Sequence, residues 1–232
     1  MPTGVICDCL FVLAGALFGC LIGNAIPPKL RDDLNVLLGF CSMSIGITSI
    51  VKVSAMAPVI IAVMLGYAIG FLLKFEDHLK AFCGNSLARL PLPKAEGFNM
   101  DHYITVVVLF CASGFGIYAT FVEALSGNSS ILYSKSFLDF VTAMTFAVTL
   151  RYAVAVIPVP MAAILLLLFG VGKLIAPIVT ETMLMNFMAC GGILTLAAGL
   201  RVSGIKSIAI TNLIPALVLV MPLTCLWELL PL

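Results

Sequence analysis

Charge is scarce in this chain. Asp, Glu, Lys and Arg make up 10% of its 232 residues, whereas soluble domains carry roughly 25%. With 62% hydrophobic residues and a mean hydropathy of +1.21, that shortage excludes a water-soluble fold. Histidine is scarce as well. His78 and His102 both fall in the single long hydrophilic stretch, and no H-E-x-x-H occurs, so neither a metalloprotease nor another metal enzyme is legible. Basic clusters are missing and the net charge is +1, which leaves no footprint for nucleic acid. The first segment lacks the basic start of a signal peptide and carries Asp8 instead, so it is read as a retained membrane span.

What the chain does have is a succession of apolar runs long enough to cross a bilayer, with a helical texture and none of the alternating ten-residue segments of a barrel. The expected fold is an all-α integral membrane protein, a single membrane domain over residues 1–232. It has about eight transmembrane helices: Val5–Ile26, Leu34–Val51, Ala55–Leu73, Tyr103–Leu125, Phe137–Val156, Val159–Val179, Met183–Val202 and Ile208–Leu229. One connection is long, the hydrophilic stretch Lys74–His102, expected to be a surface helix followed by an extended linker around Pro91 and Pro93. The lipid bilayer is the first partner.

Lysine and arginine set the orientation, since cytoplasmic loops are enriched in them. With the N-terminus outside, the inner side receives Lys29, Arg31, Lys74, Lys80, Arg89, Lys94, Arg151, Arg201 and Lys206, leaving Lys52, Lys135 and Lys173 outside or embedded. Both termini are therefore expected to be extracytoplasmic. An internal echo agrees with that parity. Gly39 and Gly46 recur as Gly192 and Gly199, and Phe18–Ile22 as Val171–Ile175, so the first three helices resemble the last three. An odd number of crossings between the copies would make them an inverted repeat, a layout common in secondary transporters.

Several motifs have bland readings. Gly15, Gly19 and Gly23, and again Gly66 and Gly70, form G-x-x-x-G stripes, which are first of all close helix contacts. Gly170, Gly172 and Lys173 lack the rest of a phosphate loop. Most of the eight cysteines sit inside apolar runs and act as small hydrophobes, and the C-x-C at Cys7 and Cys9 has no partner pair, so no metal site and no cofactor are implied. Asn24 and Asn212 each precede a proline by three residues, where an amide beside freed carbonyls could line a solute site or simply cap a helix.

The polar segment Glu123–Asp139, EALSGNSSILYSKSFLD, stands out because bilayer physics makes each of its charges expensive. Lys135 and Asp139 are four apart and share a helix face, with Asp139 about one turn, roughly 5 Å, inside if the fifth span begins near Ser136. Thr142, Thr145 and Thr149 extend that face to Arg151. Two readings of the segment stand: an outer loop with interfacial charges, or a broken stretch over Leu125–Ser130 facing a water-filled cavity.

The residues GFGIYATFVEALSGNSSILYSKSFLDFVTA carry a resemblance. Gly114, Gly116, Glu123, Leu125, Gly127, Ser130, Leu132, Lys135, Ser136, Asp139 and Ala143 match in spacing what looks like the central signature of the YqgA/YdfK-like family of bacterial multi-pass membrane proteins of unknown function. The likeness extends to Gly191–Leu217 and more loosely to Gly23–Leu30. It implies a bacterial inner-membrane location and no particular substrate. Two departures are visible: Arg151 stands where the pattern suggests a glycine, and Ala163 and Ile164 where a Gln-Gly pair would follow.

The functional expectation is a small transporter or channel for an ion or small polar solute, assembled as a homo-oligomer because eight short helices make a thin wall. Glu123 and Asp139 would bind a cation or take up a proton, and Lys135 would pair with Asp139 or hold an anionic group. Asn128, Ser130, Thr142 and Asn212 would supply neutral oxygens. The alternative is a non-transporting scaffold or regulator that docks a partner through Lys74–His102. An enzyme is not expected: Ser134–Asp139 offers a Ser, Lys and Asp but no oxyanion or acid/base partner, so no catalytic residue is assigned.

Overall fold

A computed structural model describes residues 1–22, 27–79, 81, 100–111 and 113–229. Among these residues every regular element is helical: α1 (Thr3–Ile22), α2 (Pro28–Ile50), α3 (Met56–Leu72), α4 (Met100–Cys111), α5 (Gly114–Ser126), α6 (Ser130–Leu150), α7 (Pro158–Ile175), α8 (Glu181–Val202) and α9 (Ile214–Glu228), with short 3-10 turns at Arg151–Val156, Ala176–Ile178 and Ile210–Leu213. Among the described residues seven segments are long and apolar enough to cross a membrane. The remaining expected span, the third, is α3, which is apolar but has only 17 residues, about 25 Å of helix.

Two boundaries differ from the hydropathy reading, for physical reasons. The expected fourth span is two helices, the second starting after Ser113; Ser113 takes an extended backbone (φ −67°, ψ 132°) and its hydroxyl caps α5 by accepting the Gly116 N–H at 3.0 Å. The fifth span starts at Ser130, not near Ser136. The polar residues ahead of Phe137 are already helical, because Gly127 (φ 74°) ends α5 and Asn128 Oδ1 accepts the Ser130 N–H at 2.9 Å to start the next helix. Lys135 and Asp139 therefore lie deeper, with Asp139 about 13 Å along the axis from the helix start.

Glycines set the packing. α1 and α6 run parallel, and a Cβ on Gly15 or Gly19 would sit 2.2 or 2.3 Å from the carbonyl oxygens of Phe140 and Met144. α3 and α9 cross antiparallel in the same way, with Gly66 against Ala216 and Gly70 against the Asn212 carbonyl. α2 and α8, also antiparallel, meet where Gly39 faces Gly199 and Gly46 faces Gly192, while the Ser42 hydroxyl donates to the Thr195 carbonyl at 3.1 Å. Removing side chains where backbones cross lets dispersion and weak hydrogen bonds replace the hydrophobic drive that lipid cannot supply. Among the described spans the one formed by α4 and α5 is the most enclosed.

Buried amides hold the ends of short α3. Asn186 Oδ1 on α8 accepts the Ser54 and Ala55 N–H groups at 3.1 and 2.9 Å, while its Nδ2 donates to Thr224 on α9 at 3.1 Å. Beyond the other end, Asn212 Oδ1 accepts the Glu76 N–H at 3.2 Å. Residues 75–79 open the hydrophilic connection as a helix, and Lys80, Arg89 and Lys94, like Asn24, lie outside the described residues.

Arg151 explains one departure noted in the sequence. It closes α6 at φ 51°, ψ −140°, a conformation that favours glycine because a Cβ crowds the neighbouring carbonyl. Replacing Arg151 with Gly should raise stability by about 1 kcal/mol, the usual size of such strain. A thermal melt of the purified protein in detergent measures it; an unchanged or lowered midpoint would refute the strain assignment.

Candidate functional site

The site is built where α1, α5 and α6 meet. Asp8, which the sequence reading used only to reject a signal peptide, is fully buried, and its Oδ2 accepts from Lys135 Nζ at 2.8 Å. Lys135 is 2% exposed and also donates to Asp139 Oδ2 one turn further along α6; the Asp139 side chain keeps 15% exposure. A single ammonium thus bridges a carboxylate on each of two helices. Gly116 on α5 makes room for it: a Cβ there would come within 3.2 Å of Lys135 Cε.

One turn toward the chain's first residues sits Glu123, 2% exposed near the end of α5. Its Oε1 accepts from the Gly4 N–H at 2.7 Å, the Ser129 hydroxyl at 2.7 Å and the Thr3 hydroxyl at 3.3 Å. The carboxylate therefore meets one of the free N–H groups at the start of α1, where the helix dipole favours negative charge. Three buried oxygens have no hydrogen-bond partner among the described residues: Asp8 Oδ1, Thr120 Oγ1 and Glu123 Oε2. Buried polar atoms are normally paired, so these three set the layer apart from the rest of the interior.

Beyond the bridge, toward the opposite end of the bundle, lies a cavity of about 330 Å³. Ser113, Gly114 and Thr142 line it close to the bridge, Thr142 being three residues past Asp139, and Asn35, Glu76, Arg201 and Thr211 line it farther away. The remaining wall is mainly apolar, with Val106, Leu109 and Phe146. Thr211 donates its hydroxyl to Glu76 Oε2 at 2.9 Å.

The residues singled out in the sequence separate accordingly. Lys135 and Asp139 come together, Glu123 lies one turn away, and Thr142 reaches the cavity. Asn128 and Ser130 are exposed in the tight turn between α5 and α6, where they make local capping bonds. Asn212 is buried and lines a different cavity with Lys74 and Asp77. Thr145 bonds back to the Val141 carbonyl, Thr149 is exposed, and neither lines the cavity beside Thr142. Asp8, Thr120 and Arg201 were missed as site residues. Asp8 was findable: it stands four residues after Gly4 and seven before Gly15, on the same packed stripe of α1.

A relative from Escherichia coli (strain K12), "Uncharacterized protein YqgA", is 38% identical over 230 residues, 98% of each chain. Another from Bacillus subtilis (strain 168), "Uncharacterized membrane protein YdfK", is 25% identical over 224 residues, 93% of each. No solved structure matches the chain. The family model described as "Protein of unknown function (DUF554)" matches residues 3–225, and the chain belongs to that family of membrane proteins.

Proposed function

We propose that the protein is a small transporter of an ion or small polar solute, not an enzyme, working through the Asp8–Lys135–Asp139 bridge. The observation that carries this reading is the charge balance of the buried layer. Three carboxylates, Asp8, Glu123 and Asp139, lie within adjacent helix turns of one ammonium, Lys135, and among the described residues no second cation joins them. Unpaired ions in such surroundings cost several kcal/mol each. The layer is therefore held most cheaply when it takes up protons or a monovalent cation, and Asp8 Oδ1 and Glu123 Oε2 are the buried atoms left to receive them.

The packing supports a transporter architecture. At the 153-residue offset that maps Ser42 onto Thr195, Gly39 corresponds to Gly192 and Gly46 to Gly199. The observed pairs are crossed, Gly39 with Gly199 and Gly46 with Gly192, while Ser42 meets its own counterpart. A two-fold axis between α2 and α8 produces that exchange. In our reading the same axis relates α1 to α7 and α3 to α9, a pairing supported by the contact within each pair. Inverted halves of this kind rock against one another around a central site. In our reading the chain sits in the bacterial inner membrane with both termini outside, as a homo-oligomer. The bridge then faces the outer half and the cavity the inner half.

Flux assays on proteoliposomes test the reading. The protein should dissipate an imposed proton or sodium gradient, and Asp139→Asn and Lys135→Ala, checked for monodisperse elution, should each remove most of that flux. Unchanged flux in both variants would take the bridge out of the mechanism.

A further inference from the structure

The cavity beside the bridge has a composition that selects its occupant. About 330 Å³ equals the share of roughly ten liquid waters, far more than one ion needs, and its wall exposes mostly apolar surface. An apolar wall with a few convergent polar groups is the usual build of a small-molecule site. Among the described residues its charged lining consists of Arg201 and Glu76, and their situations differ. Glu76 accepts the Thr211 hydroxyl and its N–H is taken by Asn212, so its place is fixed by neighbours. Arg201 forms no ion pair among the described residues and keeps its donor fork for a ligand.

The end of the cavity next to the bridge adds to the same sign. α5 begins there at Gly114, and Ser113 caps only the Gly116 N–H, so the first amides of a 13-residue helix face its start without intrahelical acceptors. We propose that this cavity binds a small organic anion, an apolar body carrying one carboxylate that pairs with Arg201. The inference deepens the transport reading by naming a substrate class for it. Because Thr142 in the cavity wall and Asp139 in the bridge are one turn apart on α6, occupancy and charge uptake would be sensed by the same helix.

Butyrate is the probe, compared with neutral butyramide and zwitterionic γ-aminobutyrate, by calorimetry on the full chain in nanodiscs. Butyrate should bind at least about tenfold tighter than butyramide, as a charge-assisted pair requires. Propionate should bind about three- to fourfold more weakly than butyrate, the loss of one buried methylene. Arg201→Gln should lower butyrate affinity to the butyramide level and leave butyramide unchanged, while Arg201→Lys keeps a preference for the anion. Ala198→Leu, which fills the wall beside Arg201, should weaken all three probes together. Equal binding of butyrate and butyramide by the native chain overturns the proposal, as does tighter binding of γ-aminobutyrate, which would make Glu76 the anchor. Butyrate binding without any flux would sink the transport reading and leave the cavity assignment standing. Flux with no butyrate binding would do the reverse.

Discussion

Lys135→Ala should destabilise the protein by about 3–5 kcal/mol, and the triple replacement Asp8→Asn, Lys135→Met, Asp139→Asn should restore most of that loss while leaving the protein unable to carry flux. The ammonium is 2% exposed between α1 and α6 and bridges both carboxylates. Deleting it alone leaves two carboxylates facing one another in low dielectric, the costly way to break a buried ion pair. Neutralising all three positions removes charge and counter-charge together, which in other proteins is often neutral or favourable, because the desolvation penalty goes too. Thermal melts in detergent give the stability of both variants, and proteoliposome flux gives their activity. The loss in Lys135→Ala should shrink as pH falls, since protonated carboxyls no longer repel. A triple variant that is stable and fully active would show that the bridge only ties α1 to α6.

The contrast between those two variants matters because the sequence displayed only half of the bridge. Lys135 and Asp139 were legible as a pair from their four-residue spacing, and the apolar runs gave the helical membrane fold with most of its spans. Asp8 was not legible as their partner, since a contact across 127 residues depends on which helices become neighbours. Hydropathy averages could not show the break at Ser113 either. Both halves of that span are apolar, and the interruption comes from a backbone dihedral and a capping hydroxyl. The start of α6 was missed for the opposite reason: Ser130, Ser134, Lys135 and Ser136 lower the local hydropathy, yet three of the four satisfy themselves within the structure. Ser134 and Ser136 bond to carbonyls four residues back and Lys135 is paired, so the polar stretch enters the helix without free polar groups. The cavity was out of reach for a further reason: its lining comes from α2, the helix after α3, α4, α5, α6, α8 and the 3-10 turn at Ile210–Leu213, and Arg201 stood in the sequence only as one more inner-side positive charge.

Gly15→Ala should cost about 2–3 kcal/mol, whereas Gly170→Ala should be neutral or stabilising by up to about 1 kcal/mol, although both are Gly-to-Ala changes in apolar membrane helices. Intrinsic propensity favours alanine in either place. At Gly170 no atom lies within 4 Å of the added methyl, so the propensity gain stands alone. At Gly15 the methyl would sit 2.2 Å from the Phe140 carbonyl oxygen and 3.0 Å from its Cα, both backbone atoms that no rotamer change can move. The steric term therefore wins, and α1 must retreat from α6 by about an ångström along the contact that also holds Asp8 against Lys135. That retreat gives the prediction a second readout. Lengthening the Lys135–Asp8 hydrogen bond should impair flux in Gly15→Ala even in whatever fraction stays folded, and Gly170→Ala should transport normally. Equal melting midpoints for the two variants would mean that α1 and α6 are not packed backbone to backbone, and the bridge between them would lose its geometric basis.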